Sequence, residues 1–168
     1  MSLRWLALIG ASVVALGLLP AGSVAAASAP AESSTYVKGT VDLLGQTVEE
    51  IGPPDKSGFK LLNTVFNTRF SGGLVGNGYH VYVEIFRPDG SATSTGTARF
   101  VGKLEGRSGT FVMESSGTSD PNGAINADWC VVKGSATGGL AGLSGCGKVT
   151  TTGDPVAYYT LEYTLPIR

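Results

Sequence analysis

The chain has 168 residues, with twelve Lys and Arg against thirteen Asp and Glu and a formal net charge of -1. Those charges are scattered without a basic stripe, which argues against nucleic acid and anionic membrane surfaces as partners. Twenty-five Gly, with abundant Thr, Ser, Val and Tyr, favour β structure over helix.

Residues 1–27 read as a secretory signal peptide. Arg4 supplies a positive start, Leu6 to Leu19 is an apolar or small-residue run, Pro20 breaks it, and Ala25-Ala26-Ala27 offers a small-residue cleavage site. That run is shorter than the roughly 20 residues that span a bilayer, and no cationic stop-transfer cluster follows. A secreted protein is expected, with no membrane association after cleavage. Loss of Arg4 leaves eleven basic against thirteen acidic residues, a net charge of -2. Residues 28–34 form a polar leader expected to be disordered. Residues 35–168 are expected to make one domain.

From Tyr36 the pattern has period two, with Val37, Gly39, Val41 and Leu43 on one side. A long connector is expected from Gly45 to Gly58, with at most one helical turn at Val48–Ile51 before Gly52-Pro53-Pro54. Phe59 to Phe70 sets Leu62, Thr64, Phe66, Thr68 and Phe70 on one face. Gly78 to Arg87 is a strand, and Arg87-Pro88-Asp89-Gly90 a hairpin turn. Ser91 to Leu104 returns with Ala98, Phe100, Gly102 and Leu104 on one side. Glu105 to Gly109 turns into Thr110–Ser116, where Phe111 and Met113 share a face. After Asp120-Pro121-Asn122-Gly123, the residues Ile125, Ala127, Trp129 and Val131 point one way. Six glycines among residues 134–147 exclude a packed helix and predict sharply curved, nearly side-chain-free β structure or tight turn anchored by Leu140 and Leu143. Gly145–Thr151 is a short strand, Gly153-Asp154-Pro155 a turn, and Ala157 to Leu165 the last strand.

About eight strands with short turns and one wet face predict an all-β, antiparallel eight-stranded barrel, which removes exposed edges. An immunoglobulin-like sandwich would want a longer Cys…Trp…Cys order than Trp129 beside Cys130 provides. Cys130 and Cys146, in an exported chain, are expected to form a disulfide. A metal site would need further ligands, and the single His80 is distant in sequence, so no metal and no cofactor are expected.

Phe86-Arg87-Pro88-Asp89-Gly90-Ser91-Ala92, Val101 to Val112, Ala127-Asp128-Trp129 and Gly134 to Gly145 together resemble a bacterial family of uncharacterised proteins, domain of unknown function 3224. The resemblance covers roughly Tyr36 to Leu165. It implies a small barrel similar to that of allene oxide cyclase, and no established activity. The signal peptide and the cysteine pair depart from the family pattern.

No catalytic constellation stands out. His80, Tyr82 and Glu84 alternate on one strand face, about 7 Å apart in succession. In a lumen they would make a cluster able to bind or protonate a small molecule. Tyr79, Val81, Val83 and Ile85 are the more uniformly apolar set, however, and are expected to face inward, leaving the polar three in water. Phe100, Phe111, Trp129, Tyr159 and Tyr163 read first as core and second as the lining of a cavity. Glu114, Asp128, Arg99 and Lys103 read as solvated charges. The expectation is a barrel that binds a small hydrophobic molecule. The competing readings are an isomerase or cyclase-like enzyme acting on a lipophilic substrate, and a purely structural module. The sequence is compatible with a homo-oligomer.

Overall fold

The structure is a computed structural model that describes residues 34–152 and 156–166. The expected signal peptide, all but the last residue of the expected leader, and the turn expected at Gly153-Asp154-Pro155 lie outside the described residues. The described residues form eight strands: β1 (Thr35–Glu50), β2 (Lys60–Gly72), β3 (Leu74–Phe86), β4 (Ala92–Leu104), β5 (Arg107–Ser119), β6 (Ile125–Val131), β7 (Ser144–Thr150) and β8 (Val156–Thr164). Each strand pairs antiparallel with the next, and β8 closes on β1 to complete a barrel. Alternation does this: one face of each strand is apolar enough to bury, and closure satisfies every edge.

The turns divide between the two ends. At one end lie the β1–β2 connector, the β3–β4 turn at Arg87–Ser91 and the β5–β6 turn at Asp120–Ala124. Asp89 accepts from the Ser91 N–H at 2.9 Å, and Asp120 accepts from Asn122 and Ala124 at 2.9 and 2.8 Å. These are the Asx-type turns that the Pro-Asp-Gly and Asp-Pro-Asn-Gly sequences predict. At the other end β2 meets β3 through Gly73, and β4 meets β5 through Glu105 and Gly106 alone. Both residues of that two-residue turn have positive φ, 47° and 81°, the geometry that matches strand twist. The turn is therefore shorter than the five residues expected.

Two expectations need correction. The stretch Gly45–Glu50 is strand, not connector or helical turn. A bulge between Leu43 and Gly45 inserts one residue, so that Gln46 stands opposite Phe66 and Val48 opposite Thr64. The bulge thus keeps apolar and amide side chains on the lumen side through a register that plain alternation would have broken. The Gly-rich stretch is also not curved β structure throughout. Its middle is a loop holding one 3₁₀ turn at Gly138–Leu140, and regular pairing resumes at Ser144. This loop closes the second end of the barrel. Thr137 donates its N–H to the Thr110 carbonyl at 2.9 Å, and Leu140 and Leu143 are buried beneath it. Gly109 is required here, because a Cβ at that position would collide with the Thr137 carbonyl and come within 2.9 Å of Leu140.

The interior is packed at this closed end. Leu74, Phe100, Leu104, Phe111, Leu140 and Leu161 have no exposed surface, and Tyr159 is 1% exposed. Phe100 and Phe111 stack with centroids 4.9 Å apart, and Phe70 meets Phe100 and Tyr159 edge-on at 5.5 and 5.4 Å. Cys130 and Cys146, directly opposed on β6 and β7, form the expected disulfide.

Candidate functional site

Above this packed floor the barrel is hollow. A cavity of about 430 Å³ occupies the half toward the Arg87–Ser91 and Asp120–Ala124 turns, within the range of small-molecule pockets. Phe66, Phe70, Met113, Trp129, Val41 and Val149 supply its apolar wall. Gln46, Ser94, Thr118, Ser119 and Thr151 surround the mouth, each near a strand end on that side.

Strand β3 crosses the cavity with the face that sequence reasoning assigned to solvent. His80 is 7% exposed, and Tyr82 and Glu84 are half-buried; all three line the cavity. Tyr79, Val81, Val83 and Ile85 point outward, at 50%, 50%, 46% and 45% exposure. The expected inward set is therefore wrong. The reason lies in register: β2 presents Thr64, Phe66 and Thr68 inward, and these pair with Tyr82, His80 and Gly78. Burying the β3 polar set against these partners leaves a half-open wall rather than a dry core, so the polar groups keep partners or space. Glycines make the room. A Cβ at Gly78 would strike His80 and Thr68, and one at Gly96 would approach the Tyr82 ring to 2.5 Å.

His80 is held on three sides. Its Nε2 lies 2.8 Å from the Thr68 hydroxyl. Its ring stacks on Phe66 at 4.4 Å with only 7° between planes, and faces Phe70 at 6.5 Å. Burial pushes its pKa down to about 4, so the ring is neutral at physiological pH. Its Nδ1 is buried without a hydrogen-bond partner, as is the indole nitrogen of Trp129. Burial likewise raises the Tyr82 phenol, opposed by a hydrogen bond with Ser115 and assisted by the Glu84 charge. Along β3 the sequence His80, Tyr82, Glu84 thus runs from a neutral, deep imidazole through a phenol to a carboxylate near the mouth.

Of the eight candidate ligand contacts that the sequence offered, four line the cavity: His80, Tyr82, Glu84 and Trp129. Phe100, Phe111, Tyr159 and Tyr163 do not. They pack the closed half, where the Tyr159 hydroxyl accepts from the Leu74 N–H at 2.6 Å. Leu74 and the Gly-rich loop had already sealed that end, so these rings became the floor beneath the cavity. Sequence reasoning missed Thr64, Thr68 and Ser115 as wall residues, although their places in inward registers were legible. Glu114 and Asp128 are exposed, as expected, and Asp128 pairs with Lys148 across β6–β7 at 2.5 Å. Among the described residues, no three His, Cys, Asp or Glu side chains gather as a metal site would need.

Fold and site together define a closed antiparallel β-barrel, packed at one end and hollow at the other. The chain belongs to the family described as protein of unknown function (DUF3224), whose model matches residues 37–163. It is similar to the crystal structure of a protein of unknown function from that family in Shewanella oneidensis MR-1, at 24% identity and a TM-score of 0.68. That match covers 80% of this chain and all of the other, and at such identity it establishes the shared fold. No curated protein matches the chain.

Proposed function

We propose that this is an exported binding protein that holds a small, largely apolar molecule in the barrel lumen. The observation that carries the reading is the cavity of about 430 Å³, walled by aromatic and aliphatic side chains at one end of a barrel whose other end is solid. A domain with no need of a ligand fills its interior, because voids forgo dispersion contacts and destabilise. Here Thr64, Thr68, His80 and Ser115 are buried on the wall instead of apolar fillers. Export is supported by the signal-like residues 1–27 and by the disulfide, which suits an oxidising compartment. The closed eight-stranded topology and the family resemblance support placing the barrel in the allene oxide cyclase type.

Titration with an apolar fluorophore tests the proposal. Trp129 lies on the cavity wall and is the only Trp once Trp5 leaves with the signal peptide. Its emission should shift or quench with a Kd of about micromolar, a modest affinity for such a pocket. Unchanged Trp129 emission, beside a lipocalin control that responds, would leave only a structural role.

A second reading, an isomerase or cyclase-like enzyme on a lipophilic substrate, draws on the neutral His80 and the Tyr82–Ser115 pair facing a largely apolar cavity. Such chemistry needs little beyond one held conformer and a placed proton. Glu84 is half-exposed near the mouth rather than sequestered beside the imidazole, which favours binding over catalysis.

A further inference from the structure

Resting on the reading of the cavity as a ligand site, we propose that its occupant is an amphiphilic cation. An apolar, ring-bearing body lies against Phe66, Met113 and Trp129, and a protonated amine at the mouth binds the Glu84 carboxylate.

The charges around the cavity carry the argument. Among the described residues lining it, Glu84 alone is charged, and there is no Lys or Arg. An organic anion would enter without a counter-charge and pass a carboxylate on the way. His80 cannot compensate it, because its buried ring is neutral at physiological pH. Arg87 follows Glu84 closely in sequence, but its guanidinium donates to the Thr93 hydroxyl at 3.4 Å. Thr93 stands opposite Ile85 on the outer face, whereas Glu84 stands opposite Ser94 on the inner one. Arg87 is thus turned away from the lumen; Lys60 shares the lumen-side register two residues from Leu62, but among the described residues no ion pair holds Glu84, and the carboxylate is left for a ligand.

The surroundings suit a cation in two further respects. The Tyr82 ring precedes Glu84 on the same face, and Phe66 lies 5.4 Å from it, so aromatic faces adjoin the position where an ammonium would sit. The mouth is also acidic. Glu49, Glu50, Asp55, Asp89 and Asp120 stand at this end against Lys56, Lys60 and Arg87, and Glu50 shares the lumen-side register opposite Leu62. Among the described residues at the closed end, Lys38, Lys103, Arg107 and Lys133 outnumber Glu105 and Glu162. A field so directed draws cations to the mouth and repels anions from it.

The test is isothermal titration calorimetry at neutral pH with three probes of one shape: naphthylethylamine, naphthylethanol and naphthylacetate. The amine should bind about tenfold tighter than the alcohol, as a charge-assisted hydrogen bond with an aromatic contribution would give, and the acetate most weakly. In Glu84→Gln the amine should fall to the affinity of the alcohol, with circular dichroism and the alcohol titration verifying an intact barrel. Equal binding of amine and alcohol, or tightest binding of the acetate, overturns the cation and leaves the apolar cavity standing. An amine advantage that survives in folded Glu84→Gln overturns the assigned carboxylate. Binding of none of the three overturns both readings.

Discussion

A barrel solid at one end and hollow at the other should respond very differently to the same truncation in its two halves. Phe111 and Phe66 make the comparison. Phe111 has no exposed surface and lies between Phe100 at 4.9 Å and Trp129 at 6.4 Å. Phe111→Ala removes a fully buried ring from a region without room to collapse and should cost about 3–5 kcal/mol. Phe66 already borders the cavity on one side and is half-buried. Phe66→Ala enlarges an existing space and opens no new enclosed one, so only the transfer of part of the ring is lost, about 1–2 kcal/mol. For a domain of this size, with roughly 3–4 °C per kcal/mol, Tm should fall by about 9–20 °C in the first variant and about 3–8 °C in the second. Urea denaturation with unchanged m-values gives the free energies directly. Equal losses in the two variants would refute the division, because they would mean that the mouth half is packed as tightly as the floor.

Other outcomes follow from the same structure. Intact mass after alkylation without reductant should show no modified thiol, and reduction of Cys130–Cys146 should cost about 3 kcal/mol for a loop of this size. Gly138, at φ 61° and with its missing Cβ 3.0 Å from the Ser108 carbonyl, and Gly142, at φ 87° and 2.8 Å from Pro166, should each lose about 1–3 kcal/mol on replacement by Val; an unchanged Tm in both variants would show that the loop does not seal the barrel as described. His80 has a folded pKa of about 4, below its unfolded value, so the unfolded chain takes up the proton first. Its contribution to stability is whole above about pH 6.5 and falls as the pH drops toward 4, by up to about 3 kcal/mol. Denaturation across that window should show the slope in the wild type and lose it in His80→Gln.

How far the sequence foretold all this depended on which physical constraint decided each element. Closure into an eight-stranded barrel was legible, because alternation and turn chemistry are local: Pro88-Asp89-Gly90 and Asp120-Pro121-Asn122-Gly123 turn where their side chains bond their own backbone. The disulfide was legible from the cysteine count and from the export that residues 1–27 led us to expect. The strand after Leu43 was hidden by a bulge, which breaks the period-two pattern without breaking the strand. The 3₁₀ turn at Gly138–Leu140 was hidden because glycine density excludes a helix but does not choose among loops.

The inward face of β3 was misjudged for a reason that bears on function. The rule that the more apolar face goes inside presumes a filled interior, where every polar atom loses water without compensation. At β3 the interior is a cavity, and a cavity wall tolerates an imidazole, a phenol and a carboxylate that a packed core would reject. Val81, Val83 and Ile85 then lie outside, where an isolated apolar side chain costs little. The rule fails at the part of β3 that lines the hollow half; at Phe100, Leu104 and Phe111, where the barrel is solid, it holds. A stretch whose polar face is buried against hydrophobic logic is where a sequence departs from what stability alone would select, and such departures gather at sites with work to do. Here that departure consists of His80, Tyr82 and Glu84, one strand face leading from the floor of the cavity to its mouth.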